Sequence, residues 1–314
     1  MVGQDGSARH PEHQYLDLVR RVWEEGSTRI DRTGVGTRAL FGATMRFDLS
    51  AGTVPLLTTK RVFWKPALRE LLWFLSGSRN IRPLVADGVH IWTDWPLAKY
   101  RQQTGEAISA EDFELRIITD DAFAERWGDL GPVYGAQWRN WPRYTPTPDG
   151  QFTREPHGHD QISTLVHQLQ SNPHSRRLIF SGWNVAEIDQ MALPPCHMTY
   201  QYFVEDKRLS CILYQRSCDL GLGFAFNIFE ASVLLHMLAK QCKMLPGEMV
   251  WMGADCHAYL NHEALITTQL QRDPRPFPKL HITRTPDSIF EYKFDDFVVE
   301  GYDPHPAIKL PVAV

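Results

Sequence analysis

The feature that most constrains the fold is a series of strand patterns in the second half of the sequence, followed by one long apolar helix pattern. Short segments rich in β-branched and aromatic residues predict strands at 177–183, 197–204 and 209–214. The segment 229–242 is largely apolar, and its apolar residues recur at helical spacing. Because strands and helices are interspersed without strict alternation, the sequence predicts an α+β fold in which a mixed β-sheet is packed with helices.

The rest of the chain adds elements to this arrangement. Periodicity predicts helices at 15–25, 65–75, 162–170 and 258–270, and strands at 37–49 and 249–252. Residues 96–127 are polar and weakly periodic, which predicts a surface insertion with short helices. No linker, charge run or repeat divides the chain. We therefore expect a flexible N-terminal tail at 1–13 and a single domain at 14–314.

The composition argues against several classes of protein. A formal net charge of −4 gives no reason to expect a nucleic-acid or membrane surface, and no apolar run approaches the roughly 20 residues of a membrane span. The five cysteines are odd in number and include no CxxC pair. This argues against a disulfide framework or a metal site and favours a reducing, cytoplasmic location. No GxGxxG or Walker loop is present, so a dinucleotide or triphosphate site is not supported.

One cysteine stands where a thiol can do chemistry. Cys196 follows Pro194 and Pro195 at the start of a predicted strand, a place where its thiol can be both rigid and partly exposed. A thiolate becomes a usable nucleophile when a nearby cation lowers its pKa, and Arg216 is a candidate for that cation. The alternative is an inert core residue, since free cysteines are often buried.

Four arginines are candidates for binding an anion. Arg32 lies in a loop before a predicted strand, Arg176 and Arg177 open another strand, and Arg216 stands beside Ser217. Guanidinium groups match phosphate oxygens in geometry, so these residues predict a site for a phosphate dianion. The alternative is a set of surface salt bridges.

Several long motifs occur together along the chain. They are Pro55-Leu56-Leu57-Thr58-Thr59-Lys60, Glu70-Leu71-Leu72-Trp73-Phe74-Leu75, Gly128-Asp129-Leu130-Gly131-Pro132-Val133-Tyr134-Gly135, Leu193-Pro194-Pro195-Cys196-His197, Gln215-Arg216-Ser217-Cys218-Asp219 with Asn227, Asp255-Cys256-His257-Ala258-Tyr259, Tyr302-Asp303-Pro304-His305-Pro306 and Pro311-Val312-Ala313-Val314. In this combination the chain resembles the thymidylate synthase family. The resemblance runs in unbroken order from about residue 14 to the last residue.

The resemblance implies a reaction and a set of catalytic residues. In this family a thiolate attacks C6 of dUMP, which makes C5 a carbon nucleophile toward the one-carbon unit of 5,10-methylenetetrahydrofolate. Cys196 stands at the position of that thiolate, and Glu70 and Tyr134 stand at positions associated with ordered water and with removal of the C5 proton. The implied catalytic set is Cys196, Glu70, Tyr134, Arg216, Asp219 and His197.

The same resemblance implies binding residues. Asn227 matches the residue that reads the base and favours uracil, because the cytosine-specific branch carries aspartate there. The substrate-binding positions are Arg32, Arg176, Arg177, Gln215, Ser217, Asn227, His257 and Tyr259. The folate positions are Trp92, Trp95, Leu193, Asp219, Gly223, Phe226, Val312 and Ala313. The resemblance also implies a thymidylate synthase-like homodimer formed through the sheet, in which Arg176 and Arg177 reach the partner's site.

The sequence departs from the family pattern at three places. A bulky aromatic residue and a proline are replaced by Gly221 and Ala225, the segment Phe229-Glu230-Ala231 stands where small residues and a tyrosine are usual, and Thr93 stands where aspartate is usual. Compensated drift is one explanation. The other is a uracil-nucleotide 5-hydroxymethylase, in which water intercepts the exocyclic methylene intermediate. An inactive homologue that serves as an RNA-binding or scaffold protein is disfavoured, because no basic stripe is seen.

Overall fold

The computed structural model describes residues 9–30 and 34–309, and the chain divides into two compact units. The first unit consists of Met1–Ala67 and Cys196–Val314, and the second of Leu68–Pro195. The single domain expected from residue 14 stays a prediction.

Helices and strands alternate irregularly along the described residues. The helices are α1 (His13–Glu25), α2 (Trp64–Ser76), α3 (Arg82–Ala86), α4 (Asp94–Thr104), α5 (Ala110–Thr119), α6 (Asp121–Trp127), α7 (Tyr134–Arg139), α8 (Gln161–Ser171), α9 (Gly223–Gln241) and α10 (Glu263–Leu270). The strands are β1 (Ser27–Arg29), β2 (Thr37–Asp48), β3 (Tyr144–Pro146), β4 (Phe152–Arg154), β5 (Ile179–Ser181), β6 (His197–Glu205), β7 (Arg208–Asp219), β8 (Leu245–Tyr259), β9 (Lys279–Ile282) and β10 (Phe297–Glu300). Short 3₁₀ turns lie at Ile188–Gln190, Leu260–His262, Ile289–Glu291 and Phe294–Asp296.

The first unit is built on a mixed sheet. Its strands lie in the order β1-β2-β8-β7-β6, with β7 and β8 parallel and the other neighbouring pairs antiparallel. Helix α9 packs on β7 and β8, and α1 packs on β2 and α10. Helix α9 is buried along most of its length, as expected for a helix that is apolar on all sides. The predicted mixed sheet packed with helices is confirmed.

Several elements of this unit begin or end elsewhere than the sequence predicts. Helix α9 begins at Gly223, six residues before the predicted start. The predicted start is late because Gly223 and Asn227 interrupt the apolar periodicity of the first turns. Strand β8 covers fifteen residues, whereas only 249–252 was predicted as strand. Since β2 and β7 supply hydrogen-bond partners on both edges of β8, its polar residues stay in the strand. The helix predicted from residue 258 therefore starts only at Glu263.

The predicted tail is wrong at its end. Glu12 is fully buried, and its carboxylate accepts hydrogen bonds from the backbone amides of Thr58 and Thr59 at 2.9 and 2.8 Å and from their hydroxyls at 2.5 and 2.6 Å. His13 is already in α1. A polar sequence predicts an exposed tail, but here the polar side chain is an internal hydrogen-bond acceptor. Residues 1–8 lie outside the described part of the chain.

The second unit is mainly helical. It contains α3–α8, most of α2, and the hairpin of β3 and β4. Its centre is aromatic: Phe74 stacks on Tyr134 at 4.7 Å between ring centroids and meets the edge of Trp138 at 5.5 Å. The segment 96–127, predicted as an insertion with short helices, contains α5, α6 and most of α4. It has a small core of its own, formed by Tyr100, Phe113 and Phe123.

In the part of the chain that the structure describes, neither unit contains an element that points to a membrane or a metal. Among residues 9–30 and 34–309, no helix combines the length and apolar character that crossing a membrane requires. The same residues contain no group of three or more His, Cys, Asp or Glu side chains placed to hold a metal ion.

Candidate active site

Cys196 lies directly before β6 in the first unit and is partly exposed. Its backbone carbonyl accepts a hydrogen bond of 2.9 Å from the amide of Arg216 on β7, so the candidate nucleophile lies at the start of β6 beside the strand that carries the candidate cation. Burial raises the thiol pKa of the other four cysteines, which makes them poor nucleophiles at neutral pH. These are Cys211, Cys218, Cys242 with a pKa of about 11, and Cys256 with a pKa of about 12.

A chain of hydrogen bonds fixes the amide of Asn227. The indole N–H of Trp251 donates to Gln215 Oε1 at 2.8 Å, and Gln215 Nε2 donates to Asn227 Oδ1 at 2.8 Å and to the Ser217 carbonyl at 3.1 Å. An indole N–H can only donate, so the oxygen of Gln215 is identified, and with it the oxygen of Asn227. The Asn227 NH₂ group therefore points away from Gln215 as a hydrogen-bond donor.

His257 and Tyr259 lie in β8, not in a helix, and both are partly buried. The register places His257 opposite Asp219 of β7, and the rings of His257 and Tyr259 are 5.6 Å apart. His257 Nδ1 lies 3.0 Å from Asp255 Oδ1, and this hydrogen bond is the main cause that lowers the Asp255 pKa. The pair thus presents one imidazole nitrogen and one phenol at the end of the strand.

The segment 219–223 leads from β7 into α9 and is held from two sides. Asp219 Oδ1 accepts a 2.8 Å hydrogen bond from the Gly221 amide, and the Lys60 ammonium donates to the Gly221 carbonyl. A Cβ atom at 221 would lie 2.4 Å from Nδ1 of His262. His262 therefore occupies the space that a side chain at 221 would need, which accounts for one departure from the family pattern. Gly223 and Phe226 follow in the first turn of α9 and are partly exposed.

His197 points into the interior beside α9. Its Nδ1 lies 2.8 Å from the Tyr200 hydroxyl, and its Nε2 lies 4.0 Å from Glu230 Oε2. Burial lowers the pKa of His197 to about 3. The imidazole is therefore neutral at physiological pH.

The second unit brings together residues to which different roles were assigned. Trp92 donates its indole N–H to Glu70 Oε1 at 2.6 Å, and both side chains are buried. The Trp92 ring lies 5.9 Å from Tyr134 and 5.3 Å from Trp95, which is partly exposed. Glu70, Tyr134 and the two tryptophans therefore form one cluster of a carboxylate, a phenol and flat apolar surfaces.

Six other predicted residues are not part of these groups, and three of them lie outside the described residues. Leu193 is partly buried, and Arg176 and Arg177 are exposed just before β5. Arg32, Val312 and Ala313 fall outside the described residues.

Sequence reasoning missed two residues that organise this region, Lys60 and Trp251. Lys60 is buried, and burial lowers its pKa to about 8. A lysine shortly after the apolar residues 54–57 was an available signal. Trp251 gave no signal beyond that of a core residue, because its role depends on the register between β7 and β8.

Comparison with known proteins places the chain in a family. The model of the family described as thymidylate synthase matches residues 13–314. A protein named thymidylate synthase from Rhizorhabdus wittichii is 67% identical over 305 residues, covering 97% of this chain and 99% of its own. Proteins of the same name from Sphingopyxis alaskensis and Novosphingobium aromaticivorans are 65% and 60% identical and cover 97% and 98% of this chain and 98% of their own lengths. The chain belongs to the thymidylate synthase family.

Proposed function

We propose that this protein is a thymidylate synthase, which converts dUMP to dTMP with 5,10-methylenetetrahydrofolate. The observation that carries this proposal is that β7 is connected to three other elements of the first unit. The Cys196 carbonyl accepts a hydrogen bond from the Arg216 amide, and Gln215 donates a hydrogen bond to Asn227. Asp219 lies opposite His257 in the register of β7 and β8. These connections bring together four groups in adjacent backbone segments: a nucleophile, a cation, an amide that reads the base and an imidazole that binds the sugar.

Cys196 is the nucleophile of this reaction. Its thiolate forms a bond from sulfur to C6 of dUMP, and the electron pair of the C5=C6 bond moves toward C5 and O4. The guanidinium of Arg216 favours the thiolate over the thiol and also binds the phosphate. Asp219 and His197 complete the proposed catalytic set.

Asn227 reads the pyrimidine. Its NH₂ group points away from Gln215, so it donates to uracil O4, while its oxygen retains a second lone pair for N3–H. In cytosine an amino group replaces O4, and two donors would then face each other. Gln215 acts on the base through Asn227.

The sugar and the phosphate are bound by residues at strand ends. His257 and Tyr259 bind the 3′-hydroxyl, and Ser217 binds the phosphate together with Arg216. Arg32, Arg176 and Arg177 supply further guanidinium groups, the last two to the site of the partner subunit. Bidentate guanidinium contacts suit a phosphate dianion.

Glu70 and Tyr134 act in proton transfer. The Trp92 N–H donates to one oxygen of Glu70 and thereby orients the carboxylate, which orders water and proton transfers near O4 of the pyrimidine. Tyr134, through water, assists removal of the proton from C5.

The folate supplies the one-carbon unit and the hydride. The residues present suit it: Trp92 and Trp95 offer flat aromatic surfaces 5.3 Å apart, which match a heteroaromatic ring system. Asp219 offers a carboxylate, and Gly223 carries no side chain beside it. The folate-binding residues are Trp92, Trp95, Leu193, Asp219, Gly223, Phe226, Val312 and Ala313.

The enzyme acts as a homodimer in the cytoplasm. The sheet of the first unit exposes large apolar side chains, with Phe41 81% and Phe203 63% exposed and Ile212, Tyr214 and Met252 also exposed. A set of apolar residues on a sheet face favours association with a second copy. All five cysteines are free thiols, which suits a reducing compartment.

Identification of both products tests this function. Purified protein with dUMP and 5,10-methylenetetrahydrofolate is expected to yield dTMP and dihydrofolate. The 5-hydroxymethylase alternative predicts tetrahydrofolate and a nucleotide one oxygen heavier. The names and high identities of the relatives do not favour that alternative. Detection of the hydroxymethyl nucleotide as the main product would refute the proposal.

A further inference from the structure

Glu230 is a buried carboxylate that the proposed reaction does not use. It lies on α9 three residues after Asn227, so the two side chains project from neighbouring positions of the helix surface. Its side chain is 2% exposed, and Oε2 lies 4.0 Å from Nε2 of His197. A carboxylate in an apolar interior needs polar groups around it, and the imidazole of His197 is one of them.

The imidazole of His197 is held between two side chains. The Tyr200 hydroxyl lies 2.8 Å from Nδ1, and Glu230 faces Nε2. The neutral ring carries one N–H. When the phenol donates to Nδ1, that proton is on Nε2, the nitrogen that lies 4.0 Å from the carboxylate, whose negative charge favours the proton there.

His197 is the first residue of β6 and follows the nucleophile. The pairing of β6 with β7 shifts register between His197 and Thr199. Irregular hydrogen bonding between two strands holds the backbone at a strand start less firmly than regular pairing does. Immobilising the His197 ring therefore fixes the backbone to which the Cys196 thiol is attached.

We propose that Glu230 is a positioning residue: it holds His197 as the Nε2–H tautomer in one orientation and, through it, sets the position of the Cys196 thiol. The proposal rests on the proposed function, in which Cys196 is the nucleophile. Arg216 and Ser217, assigned to the phosphate, lie on β7, and His257 and Tyr259, assigned to the sugar, lie on β8. Loss of Glu230 is therefore expected to impair the chemical step more than the binding of dUMP.

The tautomer can be measured directly. Full-length protein labelled with ¹⁵N in its histidine rings is studied by long-range ¹H–¹⁵N correlation, with the His197 signals assigned from His197→Gln. Wild type is expected to show the Nε2–H form. Glu230→Leu is expected to show a mixture of tautomers, whereas Glu230→Gln, which keeps a side-chain oxygen facing Nε2, is expected to keep Nε2–H.

Kinetics give the second readout. Glu230→Leu is expected to lower kcat on the order of tenfold, as for a small misplacement of a reacting group. Its KM for dUMP is expected to change by less than about threefold, and Glu230→Gln is expected to restore most of kcat. The matched control is Ser232→Ala, which removes a buried hydroxyl that donates to the Ile228 carbonyl in the same helix, and it is expected to change neither readout.

Two results would overturn the proposal. One is a Glu230→Leu protein that keeps both the Nε2–H form and the wild-type kcat. The other is an equal loss of kcat in Glu230→Leu, Glu230→Gln and Ser232→Ala, which indicates general damage to α9. If Glu230→Leu does not fold, Tyr200→Phe is used instead. It removes the hydroxyl that faces Nδ1 of His197, and it is expected to give a mixture of the two tautomers. The spectra need no substrate, so failure of wild type to form dTMP refutes the proposed function separately.

Discussion

The amide of Asn227 distinguishes uracil from cytosine only if its oxygen and its NH₂ group cannot exchange places. Residue type alone leaves this open. Gln215 donates to Asn227 Oδ1, and Gln215 is itself oriented by the indole N–H of Trp251, a donor with no acceptor form. Base selection is therefore expected to depend on a buried tryptophan that does not contact the base.

Trp251→Phe tests this dependence. The change removes the only polar atom of the side chain, so the Gln215 amide is oriented only by the Ser217 carbonyl, and the amides of Gln215 and Asn227 turn more easily. The preference for dUMP over dCMP, measured as the ratio of kcat/KM, is expected to fall about tenfold, equal to about 1.4 kcal/mol and within the range for one lost hydrogen bond. The matched control is Trp73→Phe, which removes an indole bond to the Asn80 carbonyl in the other unit. An unchanged preference in Trp251→Phe would contradict the account.

His197 is expected to make stability depend on pH in the acid range. Burial lowers its folded-state pKa from the ordinary 6.5 to about 3, so between these values the unfolded chain binds more protons than the folded one. The unfolding free energy therefore falls as pH falls from 6.5 toward 3, by up to about 1.4 kcal/mol per pH unit.

Urea unfolding at pH 6.5 and pH 5 measures this contribution. Wild type is expected to lose roughly 1–2 kcal/mol more than His197→Gln over this interval. His157→Gln, at an exposed histidine, is the control and is expected to follow wild type. Parallel pH dependence in wild type and His197→Gln would show that His197 is not a buried neutral group.

At the element scale, the start of α1 is fixed by one carboxylate. Glu12 precedes the helix and accepts hydrogen bonds from both the amides and the hydroxyls of Thr58 and Thr59. The segment 54–60 has no helix or strand pairing over most of its length and is buried. Glu12 thus provides the partners that a regular element would otherwise supply.

Glu12→Gln is expected to destabilise the protein by roughly 3 kcal/mol, because an NH₂ group would face two donors and two bonds to a charged acceptor would be lost. Glu25→Gln on the same helix is the control: Glu25 pairs with Arg21 at 3.7 Å in solvent, and its loss is expected to cost less than about 0.5 kcal/mol. Chemical unfolding of both variants makes the comparison. Equal, small effects would show that the buried carboxylate does not hold the segment.

Periodicity correctly predicted the helices and strands that bury either one face or all of their side chains. Strand β2 and helices α1, α2 and α8 lie within a few residues of their predicted positions. The errors fall where tertiary pairing outweighs local pattern, as in β8, whose polar residues Asp255 and His257 are kept in the strand by neighbours on both edges. The hydrogen bonds of Trp251 and Glu12 could not be predicted, because they join residues far apart in sequence.

At the scale of the whole molecule, the proposed homodimer predicts that each active site needs two chains. Arg176 and Arg177 are assigned to the site of the partner subunit and are exposed in the single chain. Motif similarity identified them, but the sequence carries no geometric signal of which site they serve. Complementation between two inactive variants separates the two possibilities.

Cys196→Ser and the double variant Arg176→Ala, Arg177→Ala are each expected to be inactive as pure proteins. Mixed in equal amounts after unfolding and refolding together, they are expected to recover about one quarter of wild-type activity, because half of the dimers are mixed and each mixed dimer has one intact site. The control is the same refolding with each variant alone. No recovery from the mixture, with dimers present by light scattering, would contradict the sharing of arginines.

The most direct test of the central claim compares wild type with Cys196→Ser for dUMP binding by calorimetry and for dTMP formation with 5,10-methylenetetrahydrofolate. A serine hydroxyl does not form the anion that adds to C6 at neutral pH. Cys196→Ser is expected to keep the dissociation constant of dUMP within about threefold, since the phosphate and base contacts remain, and to form no detectable dTMP. Formation of dTMP by Cys196→Ser at a rate near that of wild type would contradict the central claim.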